Sequence, residues 1–332
     1  MTNVLITGGA GFIGSHVAER CLREGWSVSV LDDLSTGNLS NIAAMKPDPR
    51  FSFTLGSALD ESLVAAMVDR SDIVFSLAAT VGVKLVLEGP IRALDNNVQG
   101  TRCVLEAAAA KRKPVLVAST SEVYGKSERV PFCEDADLVI GKTSTLRWGY
   151  ACSKALDEFL AMAYYHEHGL PVTVVRIFNT AGPRQREEYG MVLPAFVRQA
   201  LVGAPITVFG DGLQSRCFTH VDDVAESLVR LVTTPQASGE VVNVGNDSEI
   251  TIGELAAMVR DRVGSLSKIV RVPYEEAYDK GFEEIVRRVP SLAKLERIIG
   301  YRPRTPLERI IDTLAEDMRL RIGLDKCVAA CG

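Results

Sequence analysis

The chain has 332 residues, 47% of them hydrophobic and 24% charged, which supports a large buried core and excludes a disordered, collagenous or disulfide-scaffold protein. A formal charge of −5 and a pI near 5.6, without a basic run, argue against nucleic acid and membrane surfaces as partners. Seven scattered cysteines (Cys21, Cys103, Cys133, Cys152, Cys217, Cys327 and Cys331) lack C-x-x-C spacing and read as reduced thiols, with only Cys327 and Cys331 placed to cross-link. No leader is expected before a first strand that starts at Val4, so a cytoplasmic protein is expected, and the apolar stretch Val104–Ala110 is too short to span a membrane.

In chain order, Val-, Ile- and Leu-rich runs at Val4–Thr7, Ser27–Leu31, Ile73–Leu77, Val115–Ala118, Val172–Ile177 and Val241–Val244 alternate with helical patterns at Ile13–Glu24, Ile91–Lys111 and Tyr150–His168. Continuous apolar strands in that alternation imply strands buried on both faces, hence an α/β fold with a doubly wound parallel sheet of the Rossmann type. After Ile177 the rhythm breaks into the Gly/Pro/Arg-rich stretch 179–189. A helix near Leu193–Leu201, a strand at Ile206–Phe209, the turn Gly210-Asp211-Gly212 and a helix at Asp222–Val232 follow, and a capping box at Thr251-Ile-Gly-Glu254 opens another helix. These segments predict a Rossmann domain of 1–178 plus 218–245, a smaller α/β substrate-binding lobe of 179–217 plus 246–320, and a tail at 321–332.

Thr7-Gly-Gly-Ala-Gly-Phe-Ile-Gly14 stands between the first strand and the first helix, the setting a dinucleotide loop requires. Its glycines allow a sharp turn, close backbone approach to a pyrophosphate and tight packing of helix on strand. Gly8, Gly11, Phe12, Ile13 and Gly14 are therefore candidate cofactor residues. Asp32 ends the second strand, where a carboxylate accepts hydrogen bonds from the adenosine ribose and repels a 2′-phosphate. Asp33 beside it is a candidate that also reads as a solvated neighbour. With no Arg or Lys between Arg23 and Lys46, the pattern predicts NAD and not NADP.

Tyr150 and Lys154 lie four residues apart on one helix, so both reach the same face. A lysine beside a phenol favours the phenolate and predicts a lowered Tyr150 pKa, suited to taking a hydroxyl proton. Ser119-Thr-Ser-Glu-Val-Tyr-Gly125 ends a buried strand at the carboxyl edge, where open α/β sheets bind ligands. His220 reads as a local cap, His166 and His168 as surface positions, and Trp148 as packing; none of the histidines has metal-ligand spacing.

With the glycine loop, Leu77-Ala78-Ala79, Asn97-Val-Gln-Gly-Thr101, STSEVYG, Tyr150/Lys154, Arg176-Ile-Phe-Asn179, Gly182-Pro-Arg184 and Arg216-Cys-Phe-Thr-His-Val, the chain resembles the extended short-chain dehydrogenases/reductases that act on nucleotide sugars. The resemblance implies that Tyr150 takes the sugar 4-hydroxyl proton, Lys154 orients the nicotinamide ribose, and Thr120 bonds the reacting oxygen. It implies cofactor contacts at Leu77, Ala78, Ala79 and Asn97, a UDP-sugar held by Asn179, Arg184, Arg216 and Arg288, and a homodimer formed through helices in 91–111 and 150–168. One departure is Gly56-Ser57-Ala58, where relatives carry Gly-Asp, so Ser57 is left out of the site.

Ser121-Glu122 and Arg147-Trp-Gly-Tyr150 are similar to UDP-glucuronic acid decarboxylases, in which the arginine matching Arg147 lies near the sugar carboxylate. That resemblance implies C4 oxidation followed by decarboxylation, with Glu122 either protonated or helping to expel charge. Met191-Val-Leu-Pro194 is closer to the pattern of UDP-sugar 4-epimerases, which stand next, followed by 4,6-dehydratases. Arg184 and Arg186 also read as a solvated loop, and Glu122 as an acceptor for strand-edge amides.

Overall fold

The computed structural model describes residues 1–81, 89–187, 191–273, 285 and 287–323; Cys327 and Cys331 lie outside these. The strands β1 (Asn3–Thr7), β2 (Ser27–Asp32), β3 (Phe51–Leu55), β4 (Ile73–Ser76), β5 (Val115–Thr120) and β6 (Val172–Ile177) come first. The chain leaves the sheet through β7 (Thr180–Ala181), β8 (Ile206–Phe209), β9 (Ser215–Cys217) and β10 (Thr219–His220), and returns as β11 (Glu240–Val244). It then leaves again through β12 (Glu249–Thr251), β13 (Ile269–Val272) and β14 (Arg287–Arg288).

Seven of these strands form one parallel sheet in the order β11-β6-β5-β4-β1-β2-β3. The order reverses between β1 and β4, and that switch point opens a crevice at the carboxyl edge. Val4, Leu5 and Ile6 are fully buried, as expected of a strand covered on both faces. One face is covered by helices Phe12–Arg23 and Val221–Thr233, the other by Glu61–Asp69, Pro90–Lys111 and Arg147–His168.

A second core, containing Leu193, Phe196, Ile206, Leu255, Val259, Ile311 and Leu314, gathers β8 with helices Val192–Leu201, Ile252–Val263 and Leu307–Ile322. The predicted capping box is present: Thr251 Oγ1 accepts the Glu254 N–H at 3.2 Å, and Glu254 accepts the Thr251 N–H at 3.0 Å. Sequence periodicity missed β3, whose Phe-Ser-Phe-Thr-Leu is only half covered at the sheet edge. One part of the predicted lobe packs elsewhere: Leu292 and Leu295, with helix Ala293–Ile299, join the sheet core. The expected strand Ile73–Leu77 ends at Ser76, leaving Leu77 to start a loop at the crevice.

Helix Arg147–His168 is tied to the sheet by charge as well as by packing. Arg176 of β6 donates to both oxygens of Glu158, with Nη2 at 2.8 Å, and Ser119 of β5 donates to the same carboxylate at 2.5 Å. The Arg176 guanidinium also lies 4.7 Å from the centroid of the Tyr124 ring, and burial pushes the Tyr124 phenol up to about 12. Arg176 and Glu158 are both 5% exposed, so removing one leaves the other buried without its counter-charge. Glu158→Ala is expected to lower unfolding stability by about 3–5 kcal/mol. Urea denaturation with an unchanged midpoint would contradict this.

Candidate active site

A cavity of about 410 Å³ opens at the carboxyl edge of the sheet, lined by the glycine loop, the ends of β2, β4 and β5, the start of helix Arg147–His168, the segment after β6, and β14. Gly8 adopts φ +73° and donates its N–H to the Leu31 carbonyl at 2.8 Å. A Cβ on Gly8 would stand 2.8 Å from the Ala78 backbone, and one on Gly14 would collide with the Gly8 carbonyl. The helix that follows starts at Phe12 without a side-chain cap and without an acidic residue in its first turn, leaving amides for an anion.

Asp32 is braced beside this loop: Oδ2 accepts the Ala10 N–H at 2.9 Å, and Oδ1 accepts the Leu34 N–H at 2.8 Å. Burial pushes its carboxyl up from the ordinary value, and the Leu34 and Ala10 amides oppose that push. Asp33, Ser35 and Thr36 continue the same wall, with no basic residue on that stretch of chain. The glycine cradle, the open helix start and a carboxylate at the strand end fit NAD with a free 2′-hydroxyl. Ser57, left out by sequence reasoning, does line the cavity, and its hydroxyl accepts the Leu59 N–H at 3.2 Å.

At the other end stand Thr120, Ser121, Glu122, Tyr150 and Lys154, all on the cavity wall. Thr120 ends β5 and accepts the Glu122 N–H at 3.3 Å, which caps the turn that carries Ser121 and Glu122. Glu122 lies 2.5 Å from Arg288 and 3.3 Å from Arg147. Burial alone would raise its carboxyl, but the charges of Arg288 and Arg147 outweigh burial and hold it below the usual carboxylate range. Of the two expected states for Glu122, protonated or anionic, the geometry therefore selects the anion.

The expected pairing of Lys154 with Tyr150 needs correction. Lys154 Nζ donates to Asp157 Oδ2 at 2.6 Å, one turn further along the helix. Tyr150 is pushed above its ordinary value, first by burial and then by the Glu122 charge, with Thr120 opposing through a hydrogen bond and Asp157 adding to the rise. The lysine charge is matched by a carboxylate that sequence reasoning did not single out, because an i, i+3 Lys–Asp pair looks like any surface pair.

Other predicted residues separate into those on the wall and those behind it. Leu77, Ala78, Ala79, Arg147, Asn179, Arg184 and Arg288 line the cavity, as do Thr80, Gln185, Arg186 and Met191. Asn97 stands one layer back: its Oδ1 accepts the Thr80 N–H at 2.7 Å and its amide reaches Ser153 at 3.3 Å. Asn179 donates to the Cys217 carbonyl at 3.0 Å. Arg184, at φ +69°, bonds Ser15 and Glu19 of the first helix, so it is a tied residue and not a solvated loop. Arg216 is absent from the wall; it is buried on β9, in register with Arg288 on the neighbouring β14, and bonds the Ser215 carbonyl at 2.7 Å. Trp148 is 2% exposed and packs with Ala151 and Ile285, and His220 caps helix Val221–Thr233. Among the described residues no cluster of His, Cys, Asp and Glu could hold a metal, and no helix is long and apolar enough to cross a membrane.

Fold and site together define an NAD-dependent enzyme that works at the switch point of a doubly wound sheet. Residues 4–245 match the model of the NAD dependent epimerase/dehydratase family, and the chain belongs to that family. Similar to it are the UDP-N-acetyl-alpha-D-glucosaminuronate decarboxylase of Bacillus cytotoxicus, 42% identical over 92% of this chain and 94% of that one, and UDP-glucuronic acid decarboxylase 1 of Danio rerio, 34% identical over 92% of this chain and 70% of that one. The crystal structure of UDP-glucuronic acid 4-epimerase from Bacillus cereus, in complex with UDP-glucuronic acid and NAD, superposes with a TM-score of 0.86 at 25% identity, covering 96% of this chain and 99% of that one.

Asp32→Ala is expected to weaken NAD binding by about 1–3 kcal/mol, the scale of charge-assisted hydrogen bonds. Calorimetric titration checks this, and tighter binding of NADP than of NAD by the unaltered protein would contradict the reading of Asp32.

Proposed function

We propose that the protein decarboxylates a UDP-linked glycuronic acid after oxidising it at C4. The observation that carries the proposal is the charge arrangement at the sugar end. Arg147 lines the cavity one helical turn before Tyr150, with Glu122 and Arg288 beside it, so a guanidinium stands at the sugar end where a carboxylate on the sugar would meet an opposite charge. The relatives at 42% and 34% identity support the reading, and the first of them makes a sugar bearing an acetamido group at C2 the first substrate to test.

The reaction follows from the residues. Tyr150 takes the proton of the 4-hydroxyl, and Lys154 and Thr120 hold the reacting groups in place. NAD, when bound, supplies removal of a hydride from C4 and its later return. The resulting ketone is β to the C5 carboxylate, so the C5–C6 bond breaks, carbon dioxide leaves, and the electron pair moves onto the C4 oxygen. There the Tyr150 and Thr120 hydroxyls stabilise the enolate. Glu122, kept anionic, faces the departing carboxylate and favours transfer of its charge toward C4, while Arg147 contacts that carboxylate until it departs. Arg288, Asn179 and Arg184 are assigned to the nucleotide-diphosphate side, with Arg216 supporting Arg288 from the adjacent strand. The parts of the chain divide accordingly: 1–178 with 218–245 bind NAD, and 179–217 with 246–320, apart from helix Ala293–Ile299 on the sheet core, hold the nucleotide sugar.

A UDP-sugar 4-epimerase is the second reading, favoured by Met191-Val-Leu-Pro194, of which Met191 lines the cavity, and by the superposed epimerase. Incubation with UDP-glucuronic acid and with its 2-acetamido counterpart, read by mass and by carbon dioxide release, separates the two. Interconversion of UDP-sugars without carbon dioxide would replace the decarboxylase reading with the epimerase. Arg147→Ala is expected to lose about 2–4 kcal/mol of transition-state stabilisation toward the uronic acid. Glu122→Gln should suppress carbon dioxide release more than reduction of bound NAD. Equal loss of both activities in the Gln variant would remove Glu122 from the decarboxylation step.

The reading includes a homodimer. Ile91 and Leu94 on one helix, and Leu156 and Phe159 on its neighbour, are 37% to 77% exposed and form an apolar face suited to a two-fold helix bundle. Light scattering at micromolar concentration should give twice the chain mass, and Phe159→Glu should halve it. A monomeric unaltered protein would overturn this.

A further inference from the structure

Asp157 has no assigned task, yet it is fully buried, and its Oδ2 lies 2.6 Å from the ammonium of Lys154, itself only 4% exposed. It is absent from the cavity wall, so it touches neither sugar nor cofactor directly. A carboxylate in such a place is costly unless its partner needs it, and replacing a buried pair by apolar residues often costs nothing. What the pair does supply is geometry: the buried Lys154 ammonium is held at the Asp157 carboxylate.

We propose that Asp157 is a positioning residue for the oxidation step, fixing the Lys154 ammonium at the point from which it serves Tyr150 and the nicotinamide ribose. This rests on the proposed reading of Tyr150 and Lys154, which decarboxylation and epimerisation share. Asp157 also acts on the base through space. The charged groups around Tyr150 are Arg147, Lys154, Asp157 and Glu158 on its own helix, Glu122 on the turn after β5, backed by Arg288 of β14, and Arg176 of β6 behind Glu158. Helix Pro90–Lys111 contributes the neutral Thr101 and Asn97 on that side. Of the carboxylates, Glu122 is held by two guanidiniums and Glu158 by Arg176, whereas Asp157 both restrains the lysine and adds its own charge against the phenolate.

The sign of the effect follows. Oxidation needs the deprotonated base, so its rate climbs as pH rises through the Tyr150 titration. Taking away the Asp157 charge and releasing the lysine charge makes the phenolate easier to form, which moves that climb to lower pH. Loss of the fixed lysine position lowers the plateau.

The test is Asp157→Asn, purified with NAD and mixed with the UDP-uronic acid, following reduction of bound NAD by absorbance across pH. The expected result is a climb displaced by about one pH unit toward acid, a plateau rate about ten-fold lower and a KM within about two-fold of the unaltered enzyme. A folded, NAD-loaded variant whose climb does not move overturns the proposal, even if its thermal stability has dropped. Should Asp157→Asn fail to fold, Asp157→Glu is measured in the same way: it keeps the charge and displaces the carboxylate, so the proposal expects a lowered plateau with little movement of the climb, and an unchanged plateau overturns it. Because the readout is reduction of bound NAD, a protein that oxidises the sugar without releasing carbon dioxide refutes the decarboxylase reading and leaves this test intact.

Discussion

The buried contact of Glu158 with Arg176 and Ser119 is the constraint on which the site depends. One carboxylate on helix Arg147–His168 is gripped by β6 and β5 at once, which fixes both the rotation of the helix and its height along the strands. Tyr150 and Lys154, two turns and one turn earlier, are thereby set opposite Thr120 at the end of β5. Arg147, at the first helical position, is brought within reach of Glu122. The parallel sheet supplies the edge, and this contact supplies the registration of helix on edge.

Charge is arranged in two layers around the sugar end. Nearest the cavity are Glu122, Arg147, Arg288 and Lys154; behind them lie Asp157, Glu158 and Arg176. The rear layer balances and orients the front one. The sign of the front layer follows from neighbours as much as from its own residues: Glu122 stays ionised because two guanidiniums overcome its burial, and Tyr150 resists ionisation because burial and nearby carboxylates act on it together.

Much of this was legible in the amino-acid sequence where local chemistry and position coincide. The glycine loop, Asp32 and the six apolar strands could be read because each needs a residue type that few other settings require. The edge strand β3 was missed because half of it faces solvent and its polar residues blur the pattern. Lys154 was expected to act on Tyr150, and Asp157 went unnoticed, because helical spacing shows which residues are adjacent and says nothing of which of two neighbours a lysine prefers. Arg216 was expected to hold the UDP end of the substrate; it is buried on β9, and its register partner Arg288 is the one that lines the cavity. Leu295 was assigned to the second lobe by chain position, whereas its packing against the sheet depends on a return path that local sequence does not encode.

The reach of the family match carries a consequence of its own. The matched segment ends at residue 245, while Arg288 arrives from β14, more than forty residues later, to share Glu122 with Arg147. The charge on Glu122 is thus set jointly by a residue inside the matched stretch and one outside it. A substitution in the later stretch can change the field at the cavity while the NAD-binding half keeps the family's pattern.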